Sequence, residues 1–187
     1  YGGNLASIKT QIFATILGFL IIGVLCTIDL DVIKKPYMIM YAGMIIMLIL
    51  TLFLGRGLDE WGARSWIYIG SFSFQPAEIA KIILIFCLAA FLDKYKYTIN
   101  NIKTLILTIL FAGFPIFLIL LQPDFGTSMV YLFFIAAMIF IVGISWKWIG
   151  ILLAIGLVVG VVLLTNLSGF RADRIENFLN PNRDTSL

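Results

Sequence analysis

Residues 74–86 read FQPAEIAKIILIF and place two charged side chains, Glu78 and Lys81, at the start of an otherwise apolar stretch. Pro76 lacks an amide proton and has a fixed φ, so it fits the first position of a helix. Glu78 then falls in the first turn, where the helix dipole favours a carboxylate. Lys81 lies one turn deeper on the same face. The stretch therefore predicts a helix that begins at Pro76 with an ion pair near its start.

The rest of the chain has the composition of a membrane protein. Of its 187 residues 61% are hydrophobic and 12% are charged, whereas a soluble domain is about 25% charged. Six apolar runs are each long enough to cross about 30 Å of hydrocarbon as a helix. They predict helices at about residues 10–28, 37–54, 76–92, 102–121, 126–145 and 148–166. We therefore predict an all-α integral membrane protein, a single polytopic helix bundle over residues 1–187.

The loops between these runs predict the orientation in the membrane. If the six helices alternate in direction, the loops on the two sides of the membrane contain equal numbers of Lys plus Arg residues. On one side, however, they lie in much shorter loops close to helix ends, where the positive-inside bias applies. That side is expected to be cytoplasmic. The loop at 55–75 and an interfacial tail at 168–187 then face outward.

Cysteine and histidine usage excludes several classes of site. Cys26 and Cys87 both lie inside predicted helices and the chain has no histidine, so zinc-type spacing and a disulfide framework are excluded. We expect two inert core thiols. The sequence also has no glycine-rich phosphate loop, no Ser/His/Asp arrangement and no basic run suited to nucleic acid.

The pair Glu78 and Lys81 has two interpretations. It can be a self-neutralised helix start, with the carboxylate acting only as a cap. Alternatively, because ionisable groups at membrane depth usually face an interior cavity and mark a functional path, the pair can belong to a site. We expect a buried ion pair that faces the bundle interior.

A second polar cluster is predicted at the same membrane face. In LLQPDFGTSMV, residues 120–130, Pro123 breaks one helix while Asp124, Thr127 and Ser128 open the next. These side chains can be helix caps or part of a site. The outer loop adds Arg64, between two tryptophans. That loop can be an interfacial belt, or a seat for a lipid-linked sugar whose phosphate binds an arginine.

Four segments in one order resemble a known family. They are GARSWIYIGSFSFQPAEIAKI (62–82), LLQPDFGTSMVYLF (120–133), GISWKWIG (143–150) and RIENFLNPNRD (174–184). This order resembles the SEDS family, the RodA/FtsW/SpoVE group. Gln122 before Pro123-Asp124 and the run at 72–76 look more like RodA than FtsW. In FtsW-like members the outer loop usually reads Gly-Ala-Lys-Arg-Trp, whereas here Ser65 stands at the second basic position.

The resemblance implies a function. Family members polymerise lipid II, an undecaprenyl-linked disaccharide peptide, into peptidoglycan strands at the outer face of the bacterial cytoplasmic membrane. The RodA-like features imply a role in cell elongation and cell shape. The implied partners are a class B penicillin-binding protein and membrane lipids. No cofactor is evident, although a divalent cation can serve the same leaving group as the basic side chains.

The resemblance also implies ten membrane helices, of which the six runs would be the second through the seventh. The family's catalytic aspartate lies in a large outer loop after the seventh helix, and therefore beyond Leu187. Residues 1–187 alone are accordingly expected to be inactive.

The motifs and the chemistry together give a candidate site at the outward cavity. Arg64 and Lys81 are candidates to stabilise the departing diphosphate, while Asp124 and Glu78 orient these cations. The resemblance implies that the cavity is lined by Trp66, Gln75, Glu78, Lys81, Asp124 and Thr127, to which the chemistry adds Arg64. It also implies that Pro76, Pro123 and Gly126 shape the cavity.

Two other functions remain alternatives. A flippase for a lipid-linked precursor would also need a polar cavity at helix breaks, but its charges should continue through the membrane. Here the ionisable residues within the apolar runs, Glu78 and Lys81, lie near the outer face, and the inner halves of the runs are apolar. This favours chemistry at the outer face. A non-catalytic membrane scaffold of the cell-wall machinery is the third interpretation.

Overall fold

The computed structural model describes residues 5–27, 29–57, 63–70, 72–151, 154 and 156, and this part of the chain is almost entirely helical. A 3₁₀ turn, Lys96–Thr98, follows the fourth helix, and helical backbone resumes at residues 146–151. The helices are α1 (Leu5–Thr27), α2 (Leu30–Lys34), α3 (Tyr37–Leu54), α4 (Pro76–Tyr95), α5 (Ile102–Leu121) and α6 (Phe125–Ile141).

The helix starts follow from local sequence. Pro76 occupies the first turn of α4 directly after its N-cap, Gln75. Asn101 caps α5 by accepting a hydrogen bond from the amide of Lys103. Asp124 caps α6 in the same way. These caps satisfy amides that have no partner inside the helix.

The helices compare closely with the predicted spans, but not everywhere. α3 and α5 cover the same residues as their apolar runs, whereas α4 continues to Tyr95 and α6 ends at Ile141. The short helix α2 was not predicted. Most of the sixth run, 148–166, and the whole tail at 168–187 lie outside the described residues.

Two described helices are long and apolar enough to cross a membrane. They are α3 and α5, and α6 together with residues 11–24 of α1 is apolar but shorter. α4 carries charged residues near both of its ends. These charged residues therefore lie at the two opposite ends of the bundle.

The core lies where α4 packs against α3, α5 and α6. Leu84 and Leu88 of α4 are completely buried, as are Met44 and Leu48 of α3. Near the start of α3 and the end of α4 three rings stack: Tyr41 against Phe111 at 4.1 Å, and Phe111 against Phe91 at 4.6 Å. Burial of these apolar side chains fixes the rotation of each helix, and so decides which polar residues face inward.

The cysteines differ from each other. Cys87 is buried and its thiol donates to the carbonyl of Tyr37 at 3.1 Å, as expected of a core thiol. Cys26 is exposed, so its prediction as a core thiol was wrong. It lies on α1, whose large apolar side chains are themselves exposed, and α1 therefore provides no core around it.

The outer loop contains a β-hairpin that the sequence interpretation missed. β1 (Ile67–Ile69) and β2 (Phe72–Phe74) pair antiparallel, with Ile67 opposite Phe74. Aromatic and β-branched residues favour strands, and Gly70 supplies a positive φ of 64° at the turn. The alternating apolar residues of this loop, interpreted as either an interfacial belt or a seat for a lipid-linked sugar, thus form a hairpin next to the start of α4.

Candidate functional site

A polar network joins the start of α4 to the start of α6. The side-chain amide of Gln75 donates to Oδ2 of Asp124 at 2.8 Å and to Oγ1 of Thr127 at 3.2 Å. Oδ1 of Asp124 accepts from the backbone amide of Thr127 at 3.1 Å. The predicted site residues Gln75, Asp124 and Thr127 therefore meet, although about fifty residues separate the two segments. We call the bundle end that carries this network and the hairpin the outer end.

Asp124 has both a capping role and a positioning role. Its side chain caps α6, and its other oxygen holds Gln75. Ser128, expected to accept a bond from a helix amide, instead donates its hydroxyl to the carbonyl of Asp124 at 2.8 Å. Both carboxylate oxygens are therefore engaged by the Gln75 amide and a helix amide. Among the described residues, no ion pair joins Asp124 to Arg64 or Lys81, the cations that it was expected to orient.

Glu78 and Lys81 form an ion pair of 2.8 Å. The side chain of Lys81 is 21% exposed and that of Glu78 is 56% exposed. The expectation of a fully buried pair was therefore wrong for Glu78, because its place in the first turn of α4 leaves it beyond the packed part of the bundle. The side chain of Gln75, the N-cap of α4, makes no capping hydrogen bond. The alternative interpretation, a self-neutralised helix start, agrees with the ion pair and with the position of Glu78 in the first turn.

Tyr131 is a residue of this region that the sequence interpretation did not select. It is completely buried, and its hydroxyl donates to the carbonyl of Ala77 at 2.6 Å. Glu78 and Asp124 both lie within electrostatic range of that hydroxyl. Tyr131 follows Asp124 by two helical turns, and this spacing was the available signal. It locks α6 to the first turn of α4.

Gln122 is a second buried polar residue whose contacts the sequence did not reveal. Its side-chain amide donates to the carbonyl of Leu48 in α3 at 3.1 Å. Its backbone carbonyl accepts from the amide of Arg64 at 3.0 Å. Its Oε1 has no hydrogen-bond partner among the described residues. Gln122 therefore ties the turn between α5 and α6 to both α3 and the outer loop.

The outer loop is held close to the end of α3. Arg56 and Trp66 exchange both backbone hydrogen bonds, at 2.8 and 3.3 Å. A Cβ added to Gly55 would collide with the carbonyl oxygens of Thr51 and Arg64, so only glycine allows this approach. The side chain of Arg64 remains exposed and that of Trp66 is partly exposed. Both predicted residues thus lie at the outer end.

The three residues expected to shape the site differ in their contacts. Pro76 is buried at the start of α4, and Pro123 lies in the turn that separates α5 from α6. Gly126 is exposed, and an added Cβ there would meet no heavy atom within 4 Å. The described residues therefore give Pro76 and Pro123 structural roles, but they give no packing reason for a glycine at 126.

The chemistry available at the outer end is that of anion binding and orientation. Lys81 and Arg64 supply positive charge, while Glu78 and Asp124 hold cationic and amide groups in place. Within the described part of the chain, no group of three or more His, Cys, Asp or Glu side chains is arranged to hold a metal ion.

Comparisons with known proteins agree with this arrangement. The family model of the FtsW/RodA/SpoVE cell cycle proteins matches residues 1–186. A probable peptidoglycan glycosyltransferase FtsW from Allochromatium vinosum is 36% identical over 140 residues, which are 74% of this chain and 35% of that protein. Stage V sporulation protein E from Bacillus subtilis is 37% identical over 139 residues, 74% of this chain and 38% of that protein.

Solved structures show the same fold. A chain from "Structural coordination of polymerization and crosslinking by a peptidoglycan synthase complex" superimposes with a TM-score of 0.77 and 29% identity, covering 97% of this chain and 53% of that one. The rod shape determining protein RodA of Thermus thermophilus gives a TM-score of 0.65 and 31% identity, covering 79% and 48%.

These matches confirm the predicted all-α membrane bundle. The chain spans only about 35 to 53% of the length of these relatives, so the activity, substrate and partners of a whole protein are matters for proposal. The match over nearly the whole chain leaves no doubt about the family: this chain belongs to the FtsW/RodA/SpoVE family of cell cycle proteins, the SEDS family.

Proposed function

We propose that the intact protein is a peptidoglycan glycosyltransferase that polymerises lipid II at the outer face of the bacterial cytoplasmic membrane. The observation that carries this proposal is the network of Gln75, Asp124 and Thr127 beside the ion pair of Glu78 and Lys81. It lies in a chain whose relatives are named probable peptidoglycan glycosyltransferases. The proposed location is a multi-pass one, since α3 and α5 qualify as spans.

The reaction makes three chemical demands on the site. A sugar hydroxyl of one lipid-linked molecule attacks the anomeric carbon of another, forming a new carbon–oxygen bond. The bond from that carbon to the lipid diphosphate breaks, and the diphosphate leaves with the electron pair. A base takes the hydroxyl proton, and positive groups stabilise the charge on the leaving diphosphate.

The described residues suit one of these tasks, the stabilisation of the negative charge on the leaving diphosphate. Lys81 is a cation held at 2.8 Å by Glu78 and still 21% exposed, so its position is fixed while its charge remains accessible. We assign Lys81 and Arg64 to the diphosphate. Asp124 and Gln75 maintain the distance between the starts of α4 and α6. The catalytic base is proposed to lie outside residues 1–187.

The proposed partner is a class B penicillin-binding protein that crosslinks the new strand. Its support is the structural match to a chain of a peptidoglycan synthase complex that coordinates polymerisation and crosslinking. A further proposal is that the protein acts in cell elongation, as RodA does. The support is Gln122, which stands before Pro123-Asp124 and is built into the core through Leu48.

The test of the activity uses the intact protein, purified with its transpeptidase partner and supplied with fluorescent lipid II. We expect glycan chains that a muramidase digests. If lipid II crosses vesicle membranes without being lengthened, the flippase alternative replaces this proposal. If lipid II is neither polymerised nor transported while the protein still recruits its partner, the scaffold alternative replaces this proposal.

The proposed role in elongation is tested in cells. Expression of the intact protein should restore rod shape to cells depleted of their elongation polymerase, and should leave division-depleted cells filamentous. Restoration of division alone would contradict the assignment to elongation without affecting the proposed activity.

A further inference from the structure

Arg56 is a basic residue at the outer end that the candidate site did not include. It lies just after α3, directly opposite Trp66, with which it exchanges both backbone hydrogen bonds. Residues paired in this way project their side chains to the same face of the ladder. The side chain of Arg56 is exposed and that of Trp66 is partly exposed. Arg56 and Trp66 therefore share one outward face.

Arg64 projects to the same face. It precedes Trp66 by two residues, and the residue between them, Ser65, is only 2% exposed. Side chains alternate along an extended segment, so a buried Ser65 leaves Arg64 and Trp66 on the opposite, outward side. Arg64 thus stands diagonally across from Arg56, a relation in which long side chains reach one another.

The backbone that carries the two arginines is fixed by neighbouring elements. The amide of Arg64 donates to Gln122, and its carbonyl packs against Gly55, where any side chain would collide. Arg56 is anchored by its two hydrogen bonds to Trp66. The separation of the two Cα atoms is therefore set by the fold rather than by a bound molecule.

Among the described residues, neither guanidinium group takes part in an ion pair. The ion pairs formed within this part of the chain all use lysines, namely Lys34, Lys81 and Lys96. Of the described carboxylates at the outer end, Glu78 is engaged by Lys81, and Asp124 by Gln75 and a helix amide. Two exposed cations on a fixed support are suited to a ligand that carries more than one negative charge.

We propose that Arg56 and Arg64 together bind the diphosphate of a membrane-anchored lipid, one guanidinium to each phosphate. This rests on the proposed function for the nature of the substrate and adds Arg56 to its site. Guanidinium groups bind phosphate oxygens bidentately, which a lysine at the same position does not reproduce. Trp66, between the two arginines, offers an apolar ring to the adjoining lipid or sugar.

The test measures binding to the intact protein in phosphatidylcholine nanodiscs. Three probes are titrated: a polyprenyl diphosphate, a polyprenyl monophosphate of the same chain length, and phosphatidylglycerol. We expect Arg56→Ala and Arg64→Ala each to weaken diphosphate binding about tenfold, the effect of removing one charge-assisted hydrogen-bonding partner. Arg56→Lys should recover only part of this loss. Lys103→Ala, which removes an exposed cation from the other end of the bundle, is the matched control and should leave binding unchanged.

The outcomes separate this inference from the proposed function. A smaller loss for the monophosphate than for the diphosphate supports the clamp. Unchanged diphosphate binding by Arg56→Ala overturns it, and so does an equal loss for phosphatidylglycerol, which would indicate a general headgroup site. If the variants bind as expected but the intact protein never polymerises lipid II, the proposed function fails while the diphosphate site stands. If the intact protein polymerises lipid II and Arg56→Ala changes neither this activity nor diphosphate binding, the proposed function stands and the diphosphate site fails.

Discussion

The two ends of α4 carry similar charges in different surroundings. At its start Glu78 pairs with Lys81, whose side chain is 21% exposed, next to the network that joins Gln75 to α6. At its end Asp93 pairs with Lys96 at 3.1 Å and with Lys34 at 3.2 Å, and these side chains are 45 to 48% exposed. We therefore expect the two sets of ion pairs to contribute differently to stability, because exposed pairs are screened by water and salt.

The bundle end opposite the outer end, which we call the inner end, is also held by hydrogen bonds between side chains and backbone groups. Oδ1 of Asn100 accepts from the amide of Ser145 at 2.7 Å, and the indole of Trp148 donates to the carbonyl of Asn100 at 3.2 Å. These bonds connect the segments after α4 and after α6. The inner end thus joins loops to one another, whereas the outer end brings charged side chains together at a partly exposed surface. Four substitutions test this difference.

The largest loss of stability is expected from Glu78→Gln. This change keeps the shape of the side chain but leaves the ammonium group of Lys81 without its partner. A fully buried orphaned charge costs about 3–5 kcal/mol, and the exposure of Glu78 reduces the expected loss to about 2 kcal/mol. Thermal unfolding of the intact protein in detergent measures it. The double variant Glu78→Gln/Lys81→Met should recover part of the loss, and simple additivity would contradict the pair.

Asp124→Ala is expected to cost somewhat less. It removes the N-cap of α6, worth about 1 kcal/mol, and the acceptor of Gln75. In a double-mutant cycle with Gln75→Ala, the double variant should lose less stability than the sum of the two single losses, because the contact between the two side chains is lost only once. Independent losses from the two substitutions would show that the 2.8 Å contact does not contribute.

Tyr131→Phe isolates a single buried hydrogen bond. The hydroxyl donates to the carbonyl of Ala77 at 2.6 Å, and its removal deletes one hydrogen bond between α6 and α4, for a loss of about 1 kcal/mol. The matched control is Tyr97→Phe, since Tyr97 is 91% exposed. Equal unfolding temperatures for the two variants would argue against a link between α6 and the first turn of α4.

The smallest effect is expected at the inner end, from Asp93→Asn. The hydrogen bond from Lys96, followed by that from Lys34, lowers the pKa of the Asp93 carboxyl below its ordinary value. The folded state therefore favours the ionised form, so the stabilisation is present above the ordinary carboxyl pKa. It is lost as the pH falls through the lowered pKa. The difference in unfolding temperature between the wild type and Asp93→Asn should be small at neutral pH, and should vanish in acid and in high salt. A difference that persists in acid would contradict this assignment.

The sequence predicted the elements of the outer end better than their contacts. Pro76 and Asp124 have local signals, a fixed φ and a capping side chain, so the starts of α4 and α6 could be recognised. The bond from Gln75 to Asp124 depends on how two helices are rotated and stacked, which no local pattern determines. The i,i+3 spacing predicted the pair of Glu78 and Lys81, but its depth depends on where packing ends.

The burial of polar residues was the least predictable feature. Gln122 and Tyr131 are completely buried, yet in sequence they look like an ordinary turn residue and a lipid-facing aromatic one. Their burial follows from the contact of α4 with α3 and α6.

The hairpin had a visible signal in the alternation from Ile67 to Phe74, but the same alternation fits a segment lying at the membrane surface.

The central claim is that the charges at the outer end serve catalysis whereas those at the inner end serve only the fold. The most direct measurement compares lipid II polymerisation by the intact protein carrying Lys81→Met with that carrying Lys34→Met, at equal folded fractions. Removing one preorganised electrostatic group from a transition state typically lowers the rate by about 10²-fold or more. We expect such a fall for Lys81→Met and a rate close to wild type for Lys34→Met. A wild-type rate for Lys81→Met, or equal losses for both variants, would contradict the account.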